Sequence, residues 1–466
     1  MQRNIIRWLF LTHRYLGIAV GILMVMWCLS GIVMMYVRYP SLSEAQRMAA
    51  LRPIDWTDCC TANDVFDAGL PVGRMEIEML AGRPVMRIVQ GDGPARLIDL
   101  TSGARIDGIA ADQARSVATA FGRPASMDLI DYDQWTVSGE FGRDRPLFRF
   151  DLSDARGTQL YVSYNSGKAV QITTGPQRFW NWLGAVPHWL YFTRLRAYPA
   201  LWSQLVIWTS LTGCFLAGTG LYLGIRQLRR APDGRWSPYR GFLFWHHLPG
   251  LVFGLFALTW VLSGLVSMNP WGFLDSEGAE TSRLQGEPPS GADIAAALPG
   301  LAGVTDTVSI SLAPFDGKLA FIATAKDGTR RRIDASGQVL PPPDLARATA
   351  LLGGSPVELL RTGDAYYFAG RSQSAPLPVY RIVAGNIRYY LDPLSGAVLR
   401  TSDIDGRWYR WLHEGLHRLD FVPALRGPAF RNLVMLPLML GATLVCATGA
   451  WLAIRTLRGR RPSSLQ

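Results

Sequence analysis

Six histidines occur in 466 residues, and four of them recur at matching places in the two halves of the chain. His13 opens HRYLGIAVGILMVMWCLSG and His246 opens HHLPGLVFGLFALTWVLSG, an offset of 233 residues. The same offset maps Gly17 onto Gly250, Gly21 onto Gly254, Trp27 onto Trp260, Ser30 onto Ser263 and Gly31 onto Gly264. His188 in PHWLYF matches His417 in LHRLDF at an offset of 229, which also carries Thr219 and Gly220 onto Thr448 and Gly449, and Arg226 onto Arg455. An ionisable side chain in or against a bilayer is costly, which makes it a functional candidate by default. Paired histidines on membrane helices suit the axial positions of a heme iron. The expected chemistry is therefore electron transfer at two b-type hemes per chain. His13 and His246 are the expected iron ligands of one, His188 and His417 of the other.

Two histidines have no partner in the other half. His247 points about 100° away from His246 on a helix. His413 and His417 stand at i, i+4 and share a face. Each is an alternative ligand, a hydrogen-bond donor to a heme propionate or a proton relay, and the supporting roles are favoured over direct ligation. Arg14 and Arg240 at one level, and Arg178, Arg194 and Arg196 at the other, are candidates to neutralise propionates; reaching lipid headgroups is the competing role for each. The glycines at i, i+4 beneath the histidines suit close helix packing and also leave room for a macrocycle. HEGLH at His413–His417 fits the HExxH zinc pattern, but no clear third ligand follows, and PHWLYF lacks the motif. No Walker loop, no GxGxxG after a strand and no CxxCH heme-attachment motif occur.

Four apolar stretches must position these residues, near Trp8–Tyr36, Leu201–Ile225, Phe242–Met268 and Leu433–Ile454. Each is about 20 residues or longer, enough to cross a bilayer as a helix. Arg3 and Arg7 precede the first. Arg226, Arg229, Arg230, Arg235 and Arg240 lie between the second and third, and Arg455, Arg458, Arg460 and Arg461 follow the fourth. The positive-inside rule puts all three sets in the cytoplasm, so both termini are cytoplasmic and both long polar segments lie outside. The first span reads as an uncleaved anchor, since it is too long for a signal peptide and no small-residue cleavage site follows. Trp180, Trp182, Trp189, Trp202, Trp271, Trp408 and Trp411 read as an aromatic belt at the outer boundary. The net charge of +11 is carried mostly by arginine, with lysine only at Lys168, Lys318 and Lys326. The basic flanks suit anionic membrane lipid. No basic, aromatic-interleaved segment points to nucleic acid.

The repeat extends into the polar segments. LIDLTSGARI around Gly103 matches RRIDASGQVL around Gly337, and YVSYNSGKAV around Gly167 matches YYLDPLSGAV around Gly396. Each reads as strand, Ser-Gly turn, strand. RPLFRF near Arg149 matches LPVYRI near Arg381, while Ala111–Phe121 and Pro342–Leu352 have helical patterns. Each polar segment is thus expected to be a small α+β domain. Because both halves start on the same side, they form parallel repeats related by an axis along the membrane normal. His13 and His246 then face each other near the cytoplasmic side, His188 and His417 near the outer side. Of five cysteines, Cys28, Cys214 and Cys446 lie in the spans as small apolar residues. Cys59 and Cys60 are adjacent, and neighbouring cysteines rarely bridge.

HRYLG at His13, DYDQWTVSG, RPLFRFDL, RFWNWLGAVPHWLYF, SPYRGFLFWHH and WVLSGLVSMNPWG together resemble the PepSY-associated transmembrane family across nearly the whole chain. The resemblance implies PepSY-like domains at 38–177 and 270–404. The remaining boundaries are a transmembrane helix at 1–37, an interfacial segment and helix at 178–226, a cytoplasmic loop at 227–240, a helix at 241–269, an interfacial segment and helix at 405–456 and a cytoplasmic tail at 457–466. It further implies a bacterial inner-membrane protein that reduces a ferric chelate, such as a ferric siderophore, in the periplasm. The electron donor is then a quinol or a cytoplasmic reductase, since no flavin or nicotinamide motif is present. Competing readings are a PepSY-based binding or regulatory protein acting on periplasmic hydrolases, and a transporter of heme or an iron chelate.

Overall fold

The computed structural model describes residues 2–60, 67–229, 234, 236–276, 278, 281–370 and 375–459. The chain divides into two compact units. One holds residues 1–39, 179–276 and 404–466, the other residues 40–178 and 277–403.

Among the described residues, the first unit is built on four helices long and apolar enough to cross a membrane: Asn4–Met34, Pro199–Gln227, Gly241–Ser267 and Pro428–Leu457. They are referred to below as the first to fourth spanning helices. Only 17–33% of each apolar window is buried inside the protein. A helix that is apolar all round yet mostly uncovered by its own chain needs an apolar solvent. Ile22, Phe215 and Val252 are among the large side chains left exposed on the bundle surface. The spans agree with those read from hydropathy to within a few residues at most ends. The fourth begins earlier than expected, because Pro428–Phe430 and a wide π-type turn at Arg431–Met435 lead continuously into Leu436–Leu457. Arg7, Arg226 and Arg455 sit in the end turns of the spanning helices, and Arg229, Arg240 and Arg458 lie just beyond helix ends; Arg230, Arg235, Arg460 and Arg461 lie outside the described residues.

The second unit contains both polar segments. The first supplies strands β1 (Val72–Leu80), β2 (Arg83–Gln90), β3 (Arg96–Asp99), β4 (Arg105–Ile106), β5 (Pro124–Ile130), β6 (Leu147–Leu152), β7 (Gln159–Ser163) and β8 (Ala169–Thr173). The second supplies β9 (Ser309–Leu312), β10 (Phe321–Thr324), β11 (Arg330–Ile333), β12 (Glu358–Leu360), β13 (Val379–Ala384), β14 (Ile387–Leu391) and β15 (Val398–Ser402). All pairings are antiparallel, as short hairpins permit. The four Ser-Gly turns each place their glycine at positive φ: 70° at Gly103, 67° at Gly167, 81° at Gly337 and 72° at Gly396. That conformation is cheap only without a Cβ. The expected helices form at Ala111–Thr119 and Leu345–Leu352, where Ala114, Ala118, Leu345 and Ala348 are buried against the sheets.

The polar segments are not separate α+β domains. β5–β8 and β12–β15 are four-stranded sheets of one segment each, but a third sheet runs β11-β10-β9-β1-β2-β3-β4 and draws on both. The seam is β1 against β9, with Glu76 opposite Ser311, Ile77 opposite Ile310 and Glu78 opposite Ser309. Ile77 and Ile310 are fully buried, in one core with Met86, Ile88, Ile98, Phe321 and the helix Gly291–Leu301. Hydrophobic burial that neither segment completes alone drives this union. Cys59 and Cys60 also depart from expectation. They are disulfide-bonded, the peptide between them being cis, with Cα atoms 3.1 Å apart.

If the seam carries the unit, Ile77→Ala should cost about 2–5 kcal/mol, the usual range for emptying a buried aliphatic site. Hydrogen exchange followed by mass spectrometry on the full chain should show faster uptake in β9 and β10 as well as β1. Uptake confined to the first segment would disprove the coupling.

Candidate functional site

The first unit brings the matched histidines together in two facing pairs. The rings of His13 and His246 have centroids 6.1 Å apart, as do those of His188 and His417. Each ring is oriented by the neighbouring helix of its own half. His13 Nδ1 lies 3.0 Å from the Leu216 carbonyl and 3.4 Å from Thr219 Oγ1. His246 Nδ1 lies 3.1 Å from the Val445 carbonyl and 3.4 Å from Thr448 Oγ1. At the other level, His188 Nδ1 lies 3.2 Å from the Trp27 carbonyl and 3.1 Å from Ser30 Oγ. His417 Nδ1 lies 2.9 Å from Ser263 Oγ and bonds the Trp260 carbonyl. The residues that matched at fixed offsets, Trp27 with Trp260, Ser30 with Ser263 and Thr219 with Thr448, are thus the partners of the histidines. Ser30 and His13 are seventeen residues apart on one helix, so the two levels are separated by about 25 Å at 1.5 Å per residue.

These contacts decide the tautomer. A carbonyl oxygen can only accept, so Nδ1 must carry the proton and donate. The serine hydroxyls already donate to backbone carbonyls, Ser30 to Met26 at 2.6 Å and Ser263 to Trp260 at 2.9 Å, and therefore accept from Nδ1. Nε2 is left with its lone pair. An imidazole with Nδ1–H tied to a carbonyl and Nε2 bare is the form in which histidine binds a metal. Desolvation pushes the His188 imidazole down to about 4, opposed by the Trp27 carbonyl, and holds His417 well below the ordinary histidine value. Both rings are neutral near pH 7.

Two glycines make the rings' positions possible. A Cβ on Gly220 would stand 2.7 Å from His13 Cε1, and one on Gly449 2.8 Å from His246 Cε1. Each imidazole lies flat enough on its neighbouring helix that only glycine fits beneath it. Gly31 does similar service for His188, at 3.3 Å from Cε1.

The ring spacing matches what one iron between each pair would need. With a ring-nitrogen bond of about 2 Å on either side of an ion, two opposed imidazoles have centroids roughly 6 Å apart. Among the described residues no three or more His, Cys, Asp or Glu side chains gather as a metal cage. Two protein nitrogens per centre is what a porphyrin iron needs, its other four donors being its own. The HEGLH segment lacks a third zinc ligand for the same reason, and Glu414 lies 3.6 Å from the Arg410 guanidinium.

The remaining sequence candidates fall in varied places. His247 is fully engaged: Nε2 donates to the Gly224 carbonyl at 2.9 Å, and Nδ1 meets Ser237 Oγ at 2.8 Å. It ties the third spanning helix to the second, which leaves His246 as the histidine facing His13. His413 donates from Nδ1 to the Ser263 carbonyl at 2.9 Å and lies 5.5 Å from the His417 ring, beside the pair. Arg178 belongs to the other unit, where its guanidinium donates to the Gly157 carbonyl and Thr173 Oγ1, each at 2.8 Å. Arg14, Arg194 and Arg240 are exposed. Arg196 stacks over Trp202 at 4.5 Å and Tyr191 at 5.1 Å.

Sequence reasoning missed two sets of residues. Arg410 and Asp420, both buried, form an ion pair at 2.9 Å across the turn that carries His413 and His417. In the second unit, Tyr161 donates to Asp133 at 2.8 Å while Arg149 reaches Asp128 at 2.6 Å. Tyr390 likewise donates to Asp364 at 2.8 Å, where Arg381 also binds, at 2.8 Å. The offset linking Arg149 to Arg381 was the available signal. These knots fasten a loop to each four-stranded sheet.

A membrane bundle presenting two opposed imidazole pairs at two depths defines the class. Within it, the chain belongs to the family described as the PepSY-associated TM region, which matches residues 10–455. Among curated proteins none matches the chain.

Imidazole 15N spectra should show neutral, Nδ1-protonated rings for His13, His246, His188 and His417 in the metal-free protein. Gly220→Ala should shift the His13 signals and leave those of His188 unchanged. An unmoved His13 would refute the packing argument.

Proposed function

We propose that this protein is an inner-membrane b-type diheme reductase that delivers electrons to a ferric chelate, such as a ferric siderophore, in the periplasm. The observation that carries the reading is the pair of matched histidine couples, each with centroids 6.1 Å apart. His13 and His246 hold one heme, and His188 and His417 the other. When bound, the hemes would supply the one-electron chemistry.

The chain's own work is positional. The Leu216, Val445 and Trp27 carbonyls keep Nδ1 protonated and aim Nε2 at the iron position. Gly220 and Gly449 keep the adjoining helix surfaces clear. His413, held through Nδ1–H by the Ser263 carbonyl beside His417, keeps Nε2 as an acceptor, placed to take a hydrogen bond from a protonated acidic group. Arg14 and Arg240 suit the propionates of the His13–His246 level, and Arg194 those of the other.

The arginines flanking the spanning helices orient the chain with both termini in the cytoplasm and the sheet-rich segments in the periplasm. The two halves are then parallel repeats, with His13 and His246 on the donor side and His188 and His417 on the acceptor side. A quinol or a cytoplasmic reductase supplies the electrons. Reduction frees the metal because Fe(II) binds hard oxygen ligands less tightly than Fe(III).

Absorption spectra of the purified protein, oxidised and dithionite-reduced, should be b-type, with about two hemes per chain if both couples ligate. His13→Ala and His188→Ala should each remove about one of them. The reduced protein should reoxidise on mixing with a ferric hydroxamate. A colourless, heme-supplied protein would end this reading, and a variant retaining both hemes would end the ligand assignment.

A further inference from the structure

Two residues before Ser30, toward the His188 end of the first spanning helix, the first and fourth spanning helices bring two thiols together. Cys28 Sγ lies 3.9 Å from Cys446 Sγ, and both cysteines are free. The approach follows from an antiparallel line of contact. A Cβ on Gly21 would meet the Ala450 backbone at 3.7 Å, and one on Gly31 would meet Met439 Cε at 2.9 Å. Cys28 and Cys446 fall between these two points. Around them pack Met435, Met439, Trp260 and Ala442.

The pair breaks the matching of the two halves. The positions equivalent to Cys28 and Cys446 are Val261 and Ala217. If the cysteines served only as small apolar fillers, valine and alanine show that the equivalent interface does without sulfur. Two thiols within reach of each other, in one of two equivalent interfaces, call for a chemical reason.

We propose that Cys28 and Cys446 are a redox-active dithiol inside the membrane, oxidised to an interhelical disulfide by a quinone dissolved in the bilayer. Two S–H bonds break and one S–S bond forms. The two electrons and two protons pass to the quinone, which leaves as the hydroquinone. The oxidant class follows from the surroundings. Cys28 is buried and Cys446 is half-buried on a helix whose neighbouring Leu444 and Ala447 are exposed. A charged thiol such as glutathione is disfavoured in the lipid that an apolar helix surface requires, whereas a lipid-soluble quinone meets that surface directly. A disulfide needs sulfurs about 2 Å apart, so the pair must close by about 2 Å through side-chain rotation. The bond would clasp the first and fourth helices together near the level of His188. It uses none of the four facing histidines and does not depend on their holding heme.

The test uses the full-length protein in lipid nanodiscs, with its thiols reduced and the reductant removed. Duroquinone is added under argon, and the protein is digested without reduction for mass spectrometry. A linked peptide containing Cys28 and Cys446 is expected, with one duroquinol released per link. The link should be absent in Cys28→Ser and in Cys446→Ser, and retained in Cys214→Ser. Recovery of Cys28 and Cys446 as maleimide adducts from quinone-treated, subsequently denatured wild type would overturn the proposal, and this result needs no variant to fold. Linkage by water-soluble diamide with duroquinone inert would overturn it too.

Discussion

The bundle's candidate chemistry depends on a hydrogen bond made at each of four places, from a histidine Nδ1–H to a carbonyl one helix away. A carbonyl inside a helix already accepts from the amide four residues on, yet it has a second lone pair. The Leu216 carbonyl offers that lone pair to His13, and Val445 offers its own to His246. The residue four positions on is Gly220 in one case and Gly449 in the other, so the face where the ring must lie is bare. Donor, acceptor and clearance therefore arise from one helical turn. The result is a ring that cannot rotate without losing its bond.

Each half of the chain uses one of its helices to hold the histidine borne beside the other. The first helix carries His13 near its start and offers Trp27 and Ser30 to His188 near its far end. The third carries His246 and offers Trp260 and Ser263 to His417. Departures from this matching are few and local. His247, bound to Gly224 and Ser237, stands where the other half has Arg14. His413 stands where the other half has Gly184, and a Cβ there would already approach Val33 to 3.0 Å. Matched histidine pairs with unequal neighbours thus have different immediate surroundings.

Much of this was legible in the sequence because it is local or periodic. Four apolar spans follow from composition, and the histidine pairs follow from recurrence. The Ser-Gly turns at Gly103, Gly167, Gly337 and Gly396 follow from the conformational demand on one residue. What was hidden depends on non-local contact. Nothing in RMEIEML announces that Ile77 will lie opposite Ile310, since a strand's hydrophobic alternation is the same whichever partner it finds. Adjacent histidines at 246 and 247 look alike until Ser237 and the Gly224 carbonyl are seen to occupy both nitrogens of the second. Arg178 looked like a propionate partner by its position near His188, but its guanidinium is taken by Thr173 and Gly157. The bonded Cys59–Cys60 pair ran against the usual statistics of disulfide geometry.

The shared seven-stranded sheet constrains the order in which the chain can be made. β1 ends at Leu80, and its outer neighbour β9 begins at Ser309. The second and third spanning helices lie between them in sequence. A nascent chain therefore exposes the open edge of β1 until two further hydrophobic helices have been synthesised and inserted. Such an unpaired edge invites wrong partners during the wait. Closing the β1–β9 seam acts as a late checkpoint: the central sheet is completed only in chains whose middle helices have already delivered the second segment to the same side as the first.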